Sequence, residues 1–354
     1  ITIYNSIGQK VAELVDKLAR NGVDSFSELA HSAKDDSRAL PEIDFSHVVG
    51  QARAKRAMEI AAAGGHNILL NGPPGVGKSM LAKAMPGILS PPNHSEIITI
   101  THLHSLTSDT VVDLVRSRPF RNPHHSASDV SIIGGGQRPR PGEVSLAHGG
   151  VLFLDEFPEF RRGTIESLRQ PLEDGIVTVA RAKDSVTYPA RFMLVATKNP
   201  CPCGYYGRSK VCSCSPIELL RHQKKLSGPI LDRIDIHVTV DDIDHRSLLS
   251  ETANQETSEA VQNRFTLART RQSDRQGTKR NSELNNKDIK KISNLSAEGR
   301  AFLDDAAEKL DVSARVYMKM VKLARTIADL DHSDTVEKNH VAEALQYRPI
   351  KQDY

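Results

Sequence analysis

Three things are scarce in this sequence, and each scarcity argues against a class of protein. No apolar run approaches the ~20 residues that a helix needs to cross a bilayer, which argues against a membrane protein. Cysteine is confined to Cys201, Cys203, Cys212 and Cys214. So tight a group fits a metal clip in a reducing compartment better than the disulfide framework of a 354-residue chain, and a cytoplasmic location is expected. Charge of one sign is also lacking: 47 basic and 44 acidic side chains leave a net +3, so nucleic-acid binding has to be argued from local features. No internal repeat of solenoid period is present. What remains is the composition of a soluble globular protein, with enough chain for two or three compact units.

Residues 1–43 carry one helical pattern, with Val11, Leu14, Val15 and Leu18 on a shared face, then a polar stretch over 32–37. They read as the end of a preceding domain and a linker, and Ile1 in place of methionine suggests a fragment. Over 44–245, short apolar runs alternate with helical segments, the pattern of an α/β fold in which helices flank a parallel sheet. Strands are predicted at 68–70, 151–154, 192–196 and 234–240. Over 246–354 strand signals vanish and a helical domain is predicted, its clearest helix placing Val316, Met320, Ala324, Ile327 and Ala328 on one face. The polar segment 271–286, which contains Gly277, reads as an exposed loop.

The first strand leads into Gly72-Pro73-Pro74-Gly75-Val76-Gly77-Lys78-Ser79, with Met80 next, and a helical pattern follows. This is a phosphate-binding loop in the strand, loop, helix setting that it requires. Its glycines let backbone amides turn onto phosphates, Lys78 reaches the terminal phosphates, and the Ser79 hydroxyl ligates Mg²⁺; ATP and Mg²⁺ are the expected cofactors. The run over 151–154 delivers Asp155 and Glu156 at a strand's carboxyl end. Asp155 is placed to hold the magnesium and Glu156 to polarise the attacking water. Asn199 reads either as a water-orienting amide or as a turn residue before Pro200, and Arg233 and Arg315 read as surface or salt-bridging arginines.

Residues 175–180 and 184–188 alternate like two strands joined by Arg181-Ala182-Lys183, a hairpin with two cations at its tip or simply a solvated turn. The cysteines form two pairs that offer four thiolates to tetrahedral Zn²⁺, at a spacing tighter than usual; free thiols are the alternative. His124 and His125 have no carboxylate or cysteine close in sequence and read as loop residues.

Several blocks in order resemble the ComM/YifB family of magnesium-chelatase-like AAA+ ATPases. They are Gly50-Gln51-Ala52-Arg53, the phosphate loop, Arg118-Pro119-Phe120-Arg121-Asn122-Pro123, Pro139-Arg140-Pro141-Gly142-Glu143, Leu168-Arg169-Gln170-Pro171-Leu172-Glu173, Asn199-Pro200-Cys201-Pro202-Cys203-Gly204, Gly228-Pro229-Ile230-Leu231-Asp232-Arg233 and Ala324-Arg325-Thr326-Ile327. The resemblance implies a homo-hexameric ring with each ATP held between subunits. It places Val48, Val49 and Gly50 along the adenine and makes Asn199 the sensor 1 residue. Arg233 becomes the arginine finger for a neighbour's γ-phosphate, and Arg315 the sensor 2 arginine, on its own or a neighbour's nucleotide.

In this family the hairpin points into the central channel, so Arg181 and Lys183 are expected to track the phosphates of single-stranded or branched DNA. Gly134-Gly135-Gly136 is a candidate tip for a second pore loop. The implied function is an ATP-dependent DNA motor, a helicase for branch migration in natural transformation. A chelatase-type ATPase subunit that remodels a protein partner is the alternative, and a nucleotide-binding scaffold without turnover is a third reading. Two departures stand out. The family's N-terminal Lon-like domain is expected to be missing or truncated, and Thr197-Lys198 replaces a small and apolar pair, which would put an extra charge near the γ-phosphate.

Overall fold

A strand that is apolar on both faces can only be hidden in a sheet covered on both sides. The computed structural model describes residues 43–107, 113–136, 139–180, 185–207, 210–242 and 255–349, and the inner strands of its central sheet obey that rule. They are β1 (Ile68–Asn71), β2 (Phe120–Arg121), β3 (Gly134–Gly135), β4 (Arg140–Pro141), β5 (Val151–Leu154), β6 (Ile176–Ala180), β7 (Ser185–Pro189), β8 (Met193–Lys198) and β9 (Ile236–Thr239). The central sheet runs β2-β5-β8-β1-β9, and every pairing in it is parallel. Strand alternation divides the interior in two: Ile68, Leu70, Val151, Phe153, Met193 and Val195 enter one core, while Leu69, Leu152, Leu154, Leu194 and Ala196 enter the other.

The four predicted strands are present with shifted ends. The fourth begins at Ile236 because Arg233 and Ile234 close a turn on Ile230 and Leu231. β2 was not predicted, since two residues cannot show a period. Asn67, just before β1, ties three strands together at their amino ends. Its side chain donates to the Arg233 carbonyl at 3.0 Å and accepts from Leu194 N at 2.9 Å, and its carbonyl accepts from Asp235 N and Ile236 N.

β6 and β7 form the predicted antiparallel hairpin, in register from Ile176↔Pro189 to Ala180↔Ser185. Its tip, with Arg181 and Lys183, lies outside the described residues, as do residues 1–42 with the predicted N-terminal helix and linker. β3 and β4 form a second, shorter pair beside the helix Asp129–Ile133, so Gly134 and Gly135 are strand residues.

From residue 258 onward the described chain is helical, with Ser258–Gln276, Asn286–Ile292, Ala297–Lys309, Ala314–Leu330 and Lys338–Leu345 as its α-helices. Thr257, Asn285, Ser296 and Ser313 cap four of them through their side-chain oxygens. Met320, Ala324, Ile327 and Ala328 share the core of the sheet's first face, so the helical region closes over that face.

The predicted loop over 271–286 needs correction. Helix Ser258–Gln276 continues through its first six residues, and Gln272 and Asn281 are fully buried. Both are buried because both are satisfied: Gln272 Nε2 donates to Ala63 O at 3.1 Å, and Asn281 Nδ2 donates to Thr326 Oγ1 and Asp329 Oδ2 at 3.0 and 2.9 Å. Among the described residues no helix is long and apolar enough to cross a membrane.

Candidate nucleotide site

β1 ends at Asn71, and the chain must reverse to start the helix Lys78–Ile88. Gly75 and Gly77 make that turn at φ of 84° and 89°, where a side chain would be strained, and nothing lies within 4 Å of where their Cβ atoms would stand. Gly72 is packed instead: a Cβ there would lie 2.4 Å from the Val240 carbonyl. The result is a loop with open backbone on one side, at the carboxyl edge of a parallel sheet, where such folds take their ligands. Lys78 is buried, and its ammonium donates to Gly72 O at 2.6 Å, Pro73 O at 2.7 Å and Asn199 Oδ1 at 3.0 Å. Asn199, whose sequence allowed two readings, is thereby brought to the lysine.

Asp155 follows β5 and meets two hydroxyls. Ser79 Oγ donates to its Oδ2 at 2.9 Å, and Thr197 Oγ1 donates to its Oδ1 at 2.6 Å. Thr197 also accepts from Glu156 N at 2.9 Å, so one hydroxyl on β8 orients both acidic residues. The sequence marked Thr197 only as a departure from a pattern. A hydroxyl and a carboxylate oxygen 2.9 Å apart are hard donors of the kind Mg²⁺ takes, and together with the lysine and the open loop they fit a magnesium nucleotide.

Glu156 stands in the left-handed region at φ 51°, which turns its half-exposed side chain away from the strand. His125 Nδ1 lies 4.0 Å from Glu156 Oε2, and the His124 and His125 rings are 4.1 Å apart. The Glu156 carboxylate follows β5, 31 positions from His125, so local spacing could not pair them. Lys198 closes β8 beside the start of the phosphate loop, its carbonyl accepting from Gly72 N at 3.1 Å. Burial lowers the Lys198 pKa; burial first, then neighbouring lysines, of which Lys198 is one, lower those of His222 and His237, the latter to about 4.

Val48 is 3% exposed, so its side chain serves the core, whereas Val49 is half-buried and Gly50 exposed. Gln51 Nε2 ties this segment to the phosphate loop and to the end of β9 by donating to Val76 O at 3.4 Å and Asp241 O at 2.6 Å. Met80 is exposed at 37%.

Arg233 and Arg315 form a separate group. Both reach Glu173, on the helix Arg169–Asp174: Arg233 Nη2 pairs with Oε2, and Arg315 Nη2 donates to Oε1 at 3.2 Å. Arg233 Nη1 also donates to Pro229 O at 2.6 Å. Glu173 was not singled out in the sequence, where one acidic residue in a polar helix carries no signal.

The four cysteine sulfurs lie within 4.8 Å of one another, and all four are free thiols. Cys201 Sγ is 3.3 Å from Cys203 Sγ and 3.7 Å from Cys212 Sγ, and Cys203 Sγ is 3.5 Å from Cys212 Sγ.

Comparison with known proteins agrees with this geometry. The family model for magnesium chelatase, subunit ChlI, matches residues 44–248, and the one for the ChlI C-terminal region matches 255–348. The uncharacterized protein YifB of Escherichia coli is 45% identical over 316 residues, 89% of this chain and 62% of that protein. The competence protein ComM of Haemophilus influenzae is 43% identical over 309 residues, 87% and 60% of the two chains. The magnesium-chelatase 38 kDa subunit of Cereibacter sphaeroides is 26% identical over 176 residues, 44% and 52% of the two. The chain thus spans about six tenths of the length of YifB and ComM.

Proposed function

This chain belongs to the magnesium-chelatase-like AAA+ family, with ComM and YifB as relatives, and from that premise we propose that it is a cytoplasmic ATP-dependent DNA motor. The observation that carries the reading is the convergence of Lys78, Ser79, Asp155, Thr197 and Asn199 at the carboxyl edge of β1, β5 and β8. Lys78 binds the terminal phosphates. Ser79 and Asp155 hold Mg²⁺, which when bound neutralises phosphate charge. Asp155 is fixed for that task by Thr197, and Glu156 accepts a proton from the attacking water while Asn199 orients it. Val49 and the backbone at Val48 and Gly50 flank the base.

Arg233 is placed at the opposite, amino edge of the sheet, where its carbonyl is bonded to Asn67. From there it serves a neighbour's nucleotide rather than its own, which supports a ring, in our reading a homo-hexamer. Arg315 shares Glu173 with it, which supports the same direction for both arginines. The β6–β7 hairpin would carry Arg181 and Lys183 to single-stranded or branched DNA, and the ComM relative's name supports a competence setting. The cysteine cluster would hold a structural Zn²⁺. The similarity to a magnesium-chelatase subunit favours one second reading, an ATPase that remodels a protein partner.

The test is ATP hydrolysis and strand displacement on forked and four-way DNA, comparing wild type with Glu156→Gln and with Arg181→Ala/Lys183→Ala. The motor reading expects DNA to stimulate hydrolysis, Glu156→Gln to abolish it, and the double variant to keep basal hydrolysis while losing stimulation and displacement. Hydrolysis indifferent to DNA, with no strand moved, would favour the remodelling subunit.

A further inference from the structure

We propose that Cys201, Cys203, Cys212 and Cys214 hold one thiophilic divalent cation of the zinc class, and that this ion sets the phosphate loop's grip on nucleotide through a contact between Gly204 and Pro74. The inference rests on the zinc and ATP readings above and adds a task for the metal.

The donor set has the dimensions of a single-ion site. Four thiolates at about 2.3 Å from a tetrahedral zinc stand roughly 3.8 Å from each other, close to the 3.3, 3.5 and 3.7 Å observed here. A disulfide needs sulfurs near 2.05 Å, and all four thiols are free. Backbone amides also point at the sulfurs: Tyr206 N donates to Cys201 Sγ at 3.2 Å, Cys203 N to Cys214 Sγ at 3.4 Å and Cys214 N to Cys212 Sγ at 3.5 Å. Amides so placed stabilise thiolate charge and hold ligands in orientation.

The position of this cluster gives it a consequence beyond local stability. Cys201 is buried and stands two residues after Asn199, the residue on the Lys78 ammonium. From Cys201 the chain makes a tight turn, closed by Gly204 N donating to Cys201 O at 3.0 Å. Gly204 takes φ 87° there, and a Cβ on it would lie 2.5 Å from Pro74 Cδ. Pro74 is an exposed residue of the phosphate loop. The contacts form a closed circuit: phosphate loop, Lys78, Asn199, cysteine turn, and back to the phosphate loop through Gly204. Binding the ion fixes the cysteine turn, because ligands gathered from Cys201 to Cys214 lose the freedom they would have unbound. Fixing the turn fixes two sides of the circuit at once.

The experiment measures metal and nucleotide binding separately on the purified chain. Metal content is read by elemental analysis and by Co²⁺ substitution, which gives intense thiolate charge-transfer absorption in a four-sulfur site. Affinity for a fluorescent ATP analogue is read on metal-loaded protein, on protein stripped with a zinc-selective chelator and resupplied with Mg²⁺, and after Zn²⁺ is returned. Circular dichroism establishes that the stripped protein stays folded.

The proposal expects one zinc per chain and, on stripping, about a tenfold weaker nucleotide affinity, the scale of one lost charged hydrogen bond, restored by Zn²⁺. Pro74→Ala, which leaves the cysteine turn untouched and removes the ring atoms nearest Gly204, should keep the metal and the cobalt spectrum yet make nucleotide affinity indifferent to stripping. Equal affinity in loaded and stripped protein would overturn the coupling and leave the zinc reading standing. Absence of both zinc and a thiolate–cobalt band would overturn the site itself, with the ATPase reading then judged by the nucleotide affinity alone. A Pro74→Ala protein whose affinity still falls about tenfold on stripping would rule out Pro74 as the route.

Discussion

Arg233 and Arg315, 82 positions apart, meet on opposite oxygens of the Glu173 carboxylate. The carboxylate belongs to the helix that leads directly into β6, so the hairpin's foot and both arginines share one anion. The arginines hold its pKa below the ordinary range, Arg233 by the larger share, partly offset by slight burial.

Replacing Glu173 by Gln keeps the shape and removes the charge that gathers the two guanidinium groups. The expected outcome is a fall in kcat of about tenfold with nucleotide affinity unchanged, since neither arginine would serve its own subunit's binding loop. Steady-state hydrolysis together with equilibrium nucleotide binding checks it. An unchanged kcat would remove Glu173 from the machinery.

Thr197→Val deletes the hydroxyl that braces Asp155 and Glu156 while keeping the side chain's volume. Loss of a residue that orients a metal ligand typically costs about 10- to 100-fold in metal affinity or activity. The Mg²⁺ concentration giving half-maximal hydrolysis should therefore rise, with metal-free nucleotide binding preserved. A magnesium titration of hydrolysis decides it, and Thr197→Ser should recover most of the loss.

Asp44 offers a pH test. Burial would raise its pKa, but hydrogen bonds from Ser46 and Ser258 outweigh burial and hold it at about 2, below its ordinary 3.8. A lowered folded-state value means that the contribution to stability is complete above pH 3.8 and fades as pH falls through about 2. The Tm difference between wild type and Asp44→Ala should be greatest near neutrality and should close over that acidic window. A constant difference from pH 7 to pH 2 would show that the carboxylate's charge is irrelevant.

In the helical region, Arg325 and Asp329 are 1% and 0% exposed, and Arg325 also donates to the carbonyls of Ser333 and Asp334. Removing one partner of such a pair strands the other, at a cost of about 3 to 5 kcal/mol. Arg325→Leu should lose stability of that order in urea unfolding, even though Arg275 still reaches Asp329 at 2.8 Å. A loss below about 1 kcal/mol would mean that Arg275 and Asn281 together satisfy Asp329.

How legible was this arrangement in the sequence? The phosphate loop and the four main strands were readable because each rests on local rules: glycine turns, apolar runs, and short stretches bounded by turn residues. Asp155 was readable for the same reason. Thr197, Glu173, His125 and Gly204 were not, because each acts on a partner supplied by another element, at 42, 60, 31 and 130 positions' remove. The buried Gln272 and Asn281 misled a polarity argument in the opposite way. Polar residues signal a loop only when their hydrogen bonds go to water, and here they go to Ala63, Thr326 and Asp329.

Asn67 gives β1 a role beyond that of a sheet member. At its amino end this residue grips the peptide of Arg233, and at its carboxyl end the strand becomes the loop that closes on Lys78. Four strand residues, about 13 Å of stiff backbone, separate the two. A push on one end is delivered to the other with little slack, so in a ring the same short rod would touch two successive nucleotides.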